Sequence, residues 1–129
     1  MRRDDEQANV VNGHTVALKA YARIADVWSL SFAEAASLAG LPESTWERIR
    51  RSDYSHELTG DQLLRLSAVI GIYKSLETYF SAPLSRTWLT RPNAGPLFHD
   101  RRPIDTALDR GLPQILAIRD YLDALCQGA

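Results

Sequence analysis

Arg48 and Arg51, with Glu43, Ser44, Thr45 and Glu47 just ahead of them, are the residues of this chain best suited to reading the polar edges of another molecule. On one helix they form an outward face. A guanidinium fork can bond a guanine edge or a phosphate, a hydroxyl near a helix start suits a phosphate, and a carboxylate can accept from a cytosine amino group. The two acids also repel a phosphate backbone, so a second reading stands beside this one: two short packed helices with solvated charges. Catalytic readings are weaker. Glycine-rich phosphate loops, a nucleophile elbow and His-Glu metal helices are all absent. His14, His56 and His99 have no partners spaced as a triad and read as surface or loop residues. Asp105 and Asp109, one helical turn apart, read as a solvated face rather than a catalytic pair. Cys126 beside Leu125 reads as a small apolar residue half in a core or interface. No enzymatic activity and no cofactor is expected.

Composition bounds these readings. A chain of 129 residues, 45% apolar and 24% charged, builds one compact core or two small ones that lean on each other. The formal net charge is -1, so any contact with nucleic acid must be local. Every basic residue except Lys19 and Lys74 is Arg, which favours forked hydrogen bonds wherever these residues act. One cysteine allows no internal disulfide, and three scattered histidines fit no common zinc spacing. There is no apolar run of the ~20 residues a bilayer span needs, nor an apolar stretch behind Met1-Arg2-Arg3 to make a signal peptide, so a cytoplasmic protein with no membrane partner is expected.

The elements that must position these side chains are all helical. Residues 1–12 lack periodicity and read as a flexible tail. Leu18, Tyr21, Ala22, Ala25 and Trp28 recur at steps of three and four and predict a first helix from about His14. Ser31 and Glu34 have capping-box spacing at the start of a short helix through Ala39, and Gly40 suits a tight turn. Pro42 and Glu43 suit the start of the next helix, with Trp46 and Ile49 inward. Ala36, Gly40, Leu41, Trp46 and Ile49 thus sit where a helix-turn-helix needs its small crossing residue, turn and fastening apolar groups. A long helix from 60 to 80 follows, with Leu63, Leu66, Ile70, Tyr73, Leu76 and Phe80 as its stripe. That stripe serves either as a dimer surface or as part of the N-terminal core. Pro83, Pro92, Gly95 and Pro96 limit the next stretch to a short helix near Leu84–Leu89 and an irregular connection. Pro103 opens a helix that Gly111 ends, and Pro113 opens a final helix striped by Ile115, Ile118, Leu122 and Leu125. The fold class is all-α, divided as 1–12, 13–81 and 82–129.

In the last segment Trp88-Leu89, Pro92-Asn93, Phe98, Pro103-Ile104-Asp105, Leu108, Gly111 and the Ile115-to-Gly128 stripe resemble the toxin-binding domain of the Xre/MbcA/ParS-like antitoxins, which are paired with RES-domain toxins. The most specific part is Trp-Leu-x-x-Pro-Asn followed ten residues on by Pro-x-Asp. The resemblance extends over the chain after the tail, since that family places an Xre-like helix-turn-helix before this module. It implies an antitoxin that neutralises an NAD-degrading RES toxin by covering its active-site entrance, and that represses its own operon as a homodimer within a toxin–antitoxin complex. On that basis Trp88, Asn93, Phe98, Arg101, Arg102, Arg119, Leu122, Gln127, Gly128 and Ala129 are the expected toxin-binding residues. Trp88, Pro92, Asn93, Phe98 and Pro103 would shape the module, and the final helix and tail would approach the toxin. For Trp88, Leu108 and Ile115, closing the module's own core is the favoured reading. Asp100 stands where the family commonly has Gly; Asp can take a left-handed turn at some cost, and a differently shaped loop is the alternative. The expected partners are a RES toxin and operator DNA. A stand-alone repressor and a polar-localisation scaffold are the competing readings, separable because apolar toxin contact survives salt that abolishes operator binding.

Overall fold

The computed structural model describes residues 3–128, with side chains from residue 13 onward. The helices are α1 (Arg3–Val27), α2 (Phe32–Leu38), α3 (Glu43–Arg51), α4 (Gly60–Tyr79), α5 (Leu84–Thr87), α6 (Pro103–Arg110) and α7 (Leu112–Cys126), with a 3-10 turn at Trp88–Thr90. No strand occurs among the described residues, and the chain is all-α. None of the described helices is long and apolar enough to cross a membrane.

The local signals place most helix ends. Ser31 and Glu34 close a reciprocal cap: the Glu34 N–H donates to Ser31 Oγ at 3.0 Å and the Ser31 N–H to Glu34 Oε1 at 2.8 Å. Thr59 and Gln62 repeat the device at the start of α4, at 3.1 and 2.9 Å. Gly40 takes φ +72 between α2 and α3, where a side chain would be strained. Gly111 takes φ +76 and turns the chain from α6 into α7 with no other residue between them.

α4 is the central element, packed on α7 most extensively and on α1. A helix with neighbours on two sides buries more than one stripe. Leu66, Ala68, Val69, Ile72, Ser75 and Leu76 are accordingly buried, whereas Leu63, expected on the inward stripe, is exposed beside Leu64. Near one end of this core Tyr21 donates to the Ala35 carbonyl at 2.6 Å and meets Trp46 edge-on at 5.5 Å. Burial pushes the Tyr21 phenol far above its ordinary range.

Two expectations are corrected here. The backbone at 3–12, read as a flexible tail, is helical and continues into α1. A start rich in Asp and Glu suits the positive end of a helix dipole, a signal independent of apolar periodicity. Met1 and Arg2 lie outside the described residues. His14, read as a surface or loop histidine, is buried on α1, and its Nδ1 accepts the Leu58 N–H at 2.9 Å. With the Thr15 hydroxyl donating to the Tyr54 carbonyl at 3.2 Å, it fastens the connection between α3 and α4 onto α1. His56 is half-buried in that connection and His99 is exposed.

Candidate nucleic-acid and protein-docking surfaces

The face expected on α3 is present as a surface. Trp46 and Ile49 anchor the helix inward, and Glu43, Ser44, Glu47, Arg48 and Arg51 are exposed, with Thr45 half-buried on the flank. Arg51 bonds Glu47 one turn earlier, so this acid and this base are partly neutralised within the helix. Arg48 makes no ion pair among the described residues. Burial and the positive charge of Arg48 hold the His56 imidazole below its ordinary pKa. Arg50 points instead toward α1: its two terminal nitrogens each meet an Asp26 carboxylate oxygen at 3.0 Å, and its guanidinium stands 5.6 Å from the Trp46 ring centre. That bidentate bond, aided by the guanidinium charge, holds the Asp26 carboxyl below the usual carboxylate range.

The C-terminal module is organised around aromatic rings. Phe98 is 0% exposed and stands edge-on to Trp88 at 5.5 Å and to Tyr121 at 5.9 Å, while Trp88 and Tyr121 stack at 6.4 Å. Asn93 shapes the loop that delivers Phe98. Its Oδ1 accepts the Gly95 N–H at 2.8 Å, its N–H donates to the Arg101 carbonyl at 3.1 Å, and its carbonyl accepts the Asp100 N–H at 2.9 Å. His99 and Asp100 take φ +51 and +65, so Asp100 does adopt the left-handed conformation, together with the residue before it. Gln114, which the sequence did not single out, is buried and donates to the Thr106 hydroxyl at 3.1 Å and more weakly to the Leu97 carbonyl at 3.4 Å.

The residues expected at a toxin contact therefore divide. Trp88, Phe98 and Leu122 are buried in the module: for Trp88 this is the reading favoured from the sequence, and Phe98 and Leu122 join it in the core rather than on the surface of the free chain. Their size and apolarity signal burial in sequence, but an interface anchor and a core residue look alike there. Arg102 is half-buried and paired within the chain. Its guanidinium bonds both Asp105 carboxylate oxygens at 2.8 Å and Glu34 Oε2 on α2 at 3.2 Å. Bonding to Asp105, with Glu34 adding to it, raises the Arg102 pKa, and the same bond holds Asp105 below the usual carboxylate range. Arg101, Gln127 and Gly128 are exposed, Arg101 reaching Asp109 at 3.5 Å. Arg119 is half-buried, its guanidinium 3.1 Å from Asp120. Its stem lies over α4, where a Cβ added to Gly71 would meet Arg119 Cδ at 3.4 Å. Ala129 lies outside the described residues. Asp105 and Asp109, expected to form a solvated face, answer to different arginines: Asp109 is exposed and 3.5 Å from Arg101, whereas Asp105 is half-buried and bonded to Arg102. Cys126 is exposed, with its Sγ 3.5 Å from the Ser75 carbonyl.

Residues 11–71 match the model of the antitoxin Xre-like helix-turn-helix domain, and residues 75–128 match that of the antitoxin Xre/MbcA/ParS C-terminal toxin-binding domain. The chain is similar to uncharacterized protein y4oB of Sinorhizobium fredii, 34% identical over 109 residues that cover 83% of this chain and 81% of the relative. No solved structure matches it. With both models matched in this order along an all-helical chain, the protein belongs to the non-enzymatic antitoxin family that joins an Xre-like helix-turn-helix to an Xre/MbcA/ParS toxin-binding domain, and a cognate toxin is its partner.

Proposed function

We propose that this antitoxin neutralises a RES-domain toxin that degrades NAD, by seating the exposed end of α7 and the neighbouring loop over the toxin's active-site entrance. The observation that carries the reading is the match of residues 75–128 to a toxin-binding domain, together with the exposure of the run Cys126 to Gly128 and of Arg101 in that region. Polar groups around an apolar helix end make the rim of a protein contact, while Trp88, Phe98 and Leu122 hold the docking surface rigid from behind.

The same protein represses its own operon through α3, acting as a dimer within the cytoplasmic toxin–antitoxin complex. Support comes from the match of residues 11–71 to a helix-turn-helix domain and from the solvent-facing Ser44, Arg48 and Arg51. Two heads spaced about 34 Å apart can share a palindrome that one head binds weakly. Because most of the α4 stripe is consumed inside the chain, the two-fold contact falls to Val16, Leu63 and Leu64, which remain exposed.

The deciding experiment is co-expression of this chain with the product of its neighbouring gene in a bacterial host, reading growth, intracellular NAD and co-purification. A neighbour that alone depletes NAD and arrests growth, and that this chain rescues and binds, is the expected result. A toxic neighbour that leaves NAD intact removes the RES assignment. Absence of toxicity and of any complex makes a stand-alone repressor the better account.

A further inference from the structure

Beside the reading face of α3 lies a cleft of about 320 Å³ between α1 and the far end of α3, lined by Lys19, Ala22, Arg23, Asp26, Arg50 and Tyr54. We propose that this cleft, bordered by Lys19, Arg23 and Arg50, binds a backbone phosphate of duplex DNA alongside the bases that α3 reads. The inference rests on the operator-binding reading and adds residues of α1 that the helix-turn-helix pattern alone does not single out.

The charge arrangement favours an anion. Asp26 is the one carboxylate among the lining residues, and its two oxygens are both occupied by Arg50 at 3.0 Å. Lys19 and Arg23, one helical turn apart, are exposed and make no ion pair among the described residues. In a chain whose formal net charge is -1, this leaves an uncompensated local surplus of positive charge.

Position selects a phosphate over a base. Arg50 follows Ile49 and precedes Arg51, so it lies about 100° around the helix from Arg51, on the flank rather than the outward face. A helix with its side chains is about 10–12 Å across and the major groove about 12 Å wide, so the sugar-phosphate strands run along the helix's flanks. Cations there meet backbone oxygens and set register without choosing sequence. The Asp26–Arg50 pair, with Arg50 lying on Trp46, fixes α1 against α3 and holds Lys19 and Arg23 at that flank.

The test measures binding of the full chain, alone and with its co-purified toxin, to a duplex spanning the region upstream of its gene and to an unrelated duplex, across a salt series. Lys19→Ala with Arg23→Ala, both at exposed helix positions, should weaken binding to the two duplexes by the same factor, roughly 10-fold near 0.1 M salt, and flatten the log–log salt slope by about 0.9, the share of one phosphate. Lys74→Ala with Arg110→Ala removes the same charge elsewhere and should leave the slope unchanged. An unchanged slope in the first variant, or an equal loss in the second, overturns the site. Retained DNA binding with lost toxin co-purification would reassign the cleft to an acidic protein partner. A wild-type chain that binds neither duplex, free or in complex, removes the operator reading itself and this site with it.

Discussion

Individual side chains here carry either structure or recognition, and substitution separates the two. Phe98→Ala empties a fully buried position against Trp88 and Tyr121 and should cost about 3–5 kcal/mol, read as a shift in urea midpoint. Gln127→Ala, at the exposed end of α7, should change stability by less than about 0.5 kcal/mol while weakening the toxin complex in a pull-down or calorimetric titration. Glu34 has a double task, capping α2 through one oxygen and bonding Arg102 through the other. Glu34→Gln keeps the cap acceptor and loses the charge; Glu34→Ala loses both and should cost about 1 kcal/mol more in thermal unfolding. Asp105, like Asp26, contributes pH dependence. Its folded carboxyl is more acidic than in the unfolded chain, chiefly because Arg102 bonds the carboxylate, so its contribution is present above the ordinary carboxylate range and is lost as pH falls through the lower folded value. Asp105→Asn should therefore narrow the stability difference between neutral and acidic solution; an unchanged acid limb would show that this pair contributes nothing.

At the scale of elements, the turn at Gly40 sets how α3 is presented. Gly40→Ala places a Cβ at positive φ and 3.1 Å from Arg65, so a loss of about 1–2 kcal/mol is expected, with operator affinity falling along with it. Arg48→Ala with Arg51→Ala should abolish operator binding in a mobility-shift assay and leave growth rescue intact, because neither side chain supports the core. Loss of both would mean that α3 also serves the toxin. The helices themselves were legible in the residues: Ser31 and Glu34, Gly40, Pro103 and Gly111 are local signals whose effect needs only a few neighbouring peptides. Thr59 and Gln62 carried the same cap signal and mark the start of α4 equally well. The start of α1 was hidden because apolar spacing reports a buried face and says little about a helix beyond it.

On the scale of the whole molecule, the two matched regions share a core through α4 and are pinned a second time by Arg102 to Glu34. Arg65, held by Asp61 at 2.7 Å, lies against both Gly40 and Gly111 and so links the reading head to the corner of the docking module. We expect one unfolding transition: tryptophan fluorescence of Trp88→Phe, which reports Trp28 and Trp46, should give the same urea midpoint as backbone circular dichroism of that variant. Two midpoints would mean that the halves fold separately. Removing residues 120–129 deletes Leu122 from the core and should unfold the module, so point substitutions at the α7 end are the better probe of toxin contact.

Helix content, the helix-turn-helix order and the outward set on α3 followed from the residues alone, because capping, turn chemistry and a 3.6-residue period act over a few positions. The division of the C-terminal residues did not. Whether Phe98 and Leu122 face a partner or their own core depends on which helices close around them, and periodicity reports a buried face without naming its neighbour. His14 meeting Leu58 and Arg102 meeting Glu34 span 44 and 68 residues, distances over which sequence spacing holds no geometry. Those pairings, and with them the roles of His14 and Arg102, exist because tertiary packing lays the α3–α4 connection on α1 and α6 on α2.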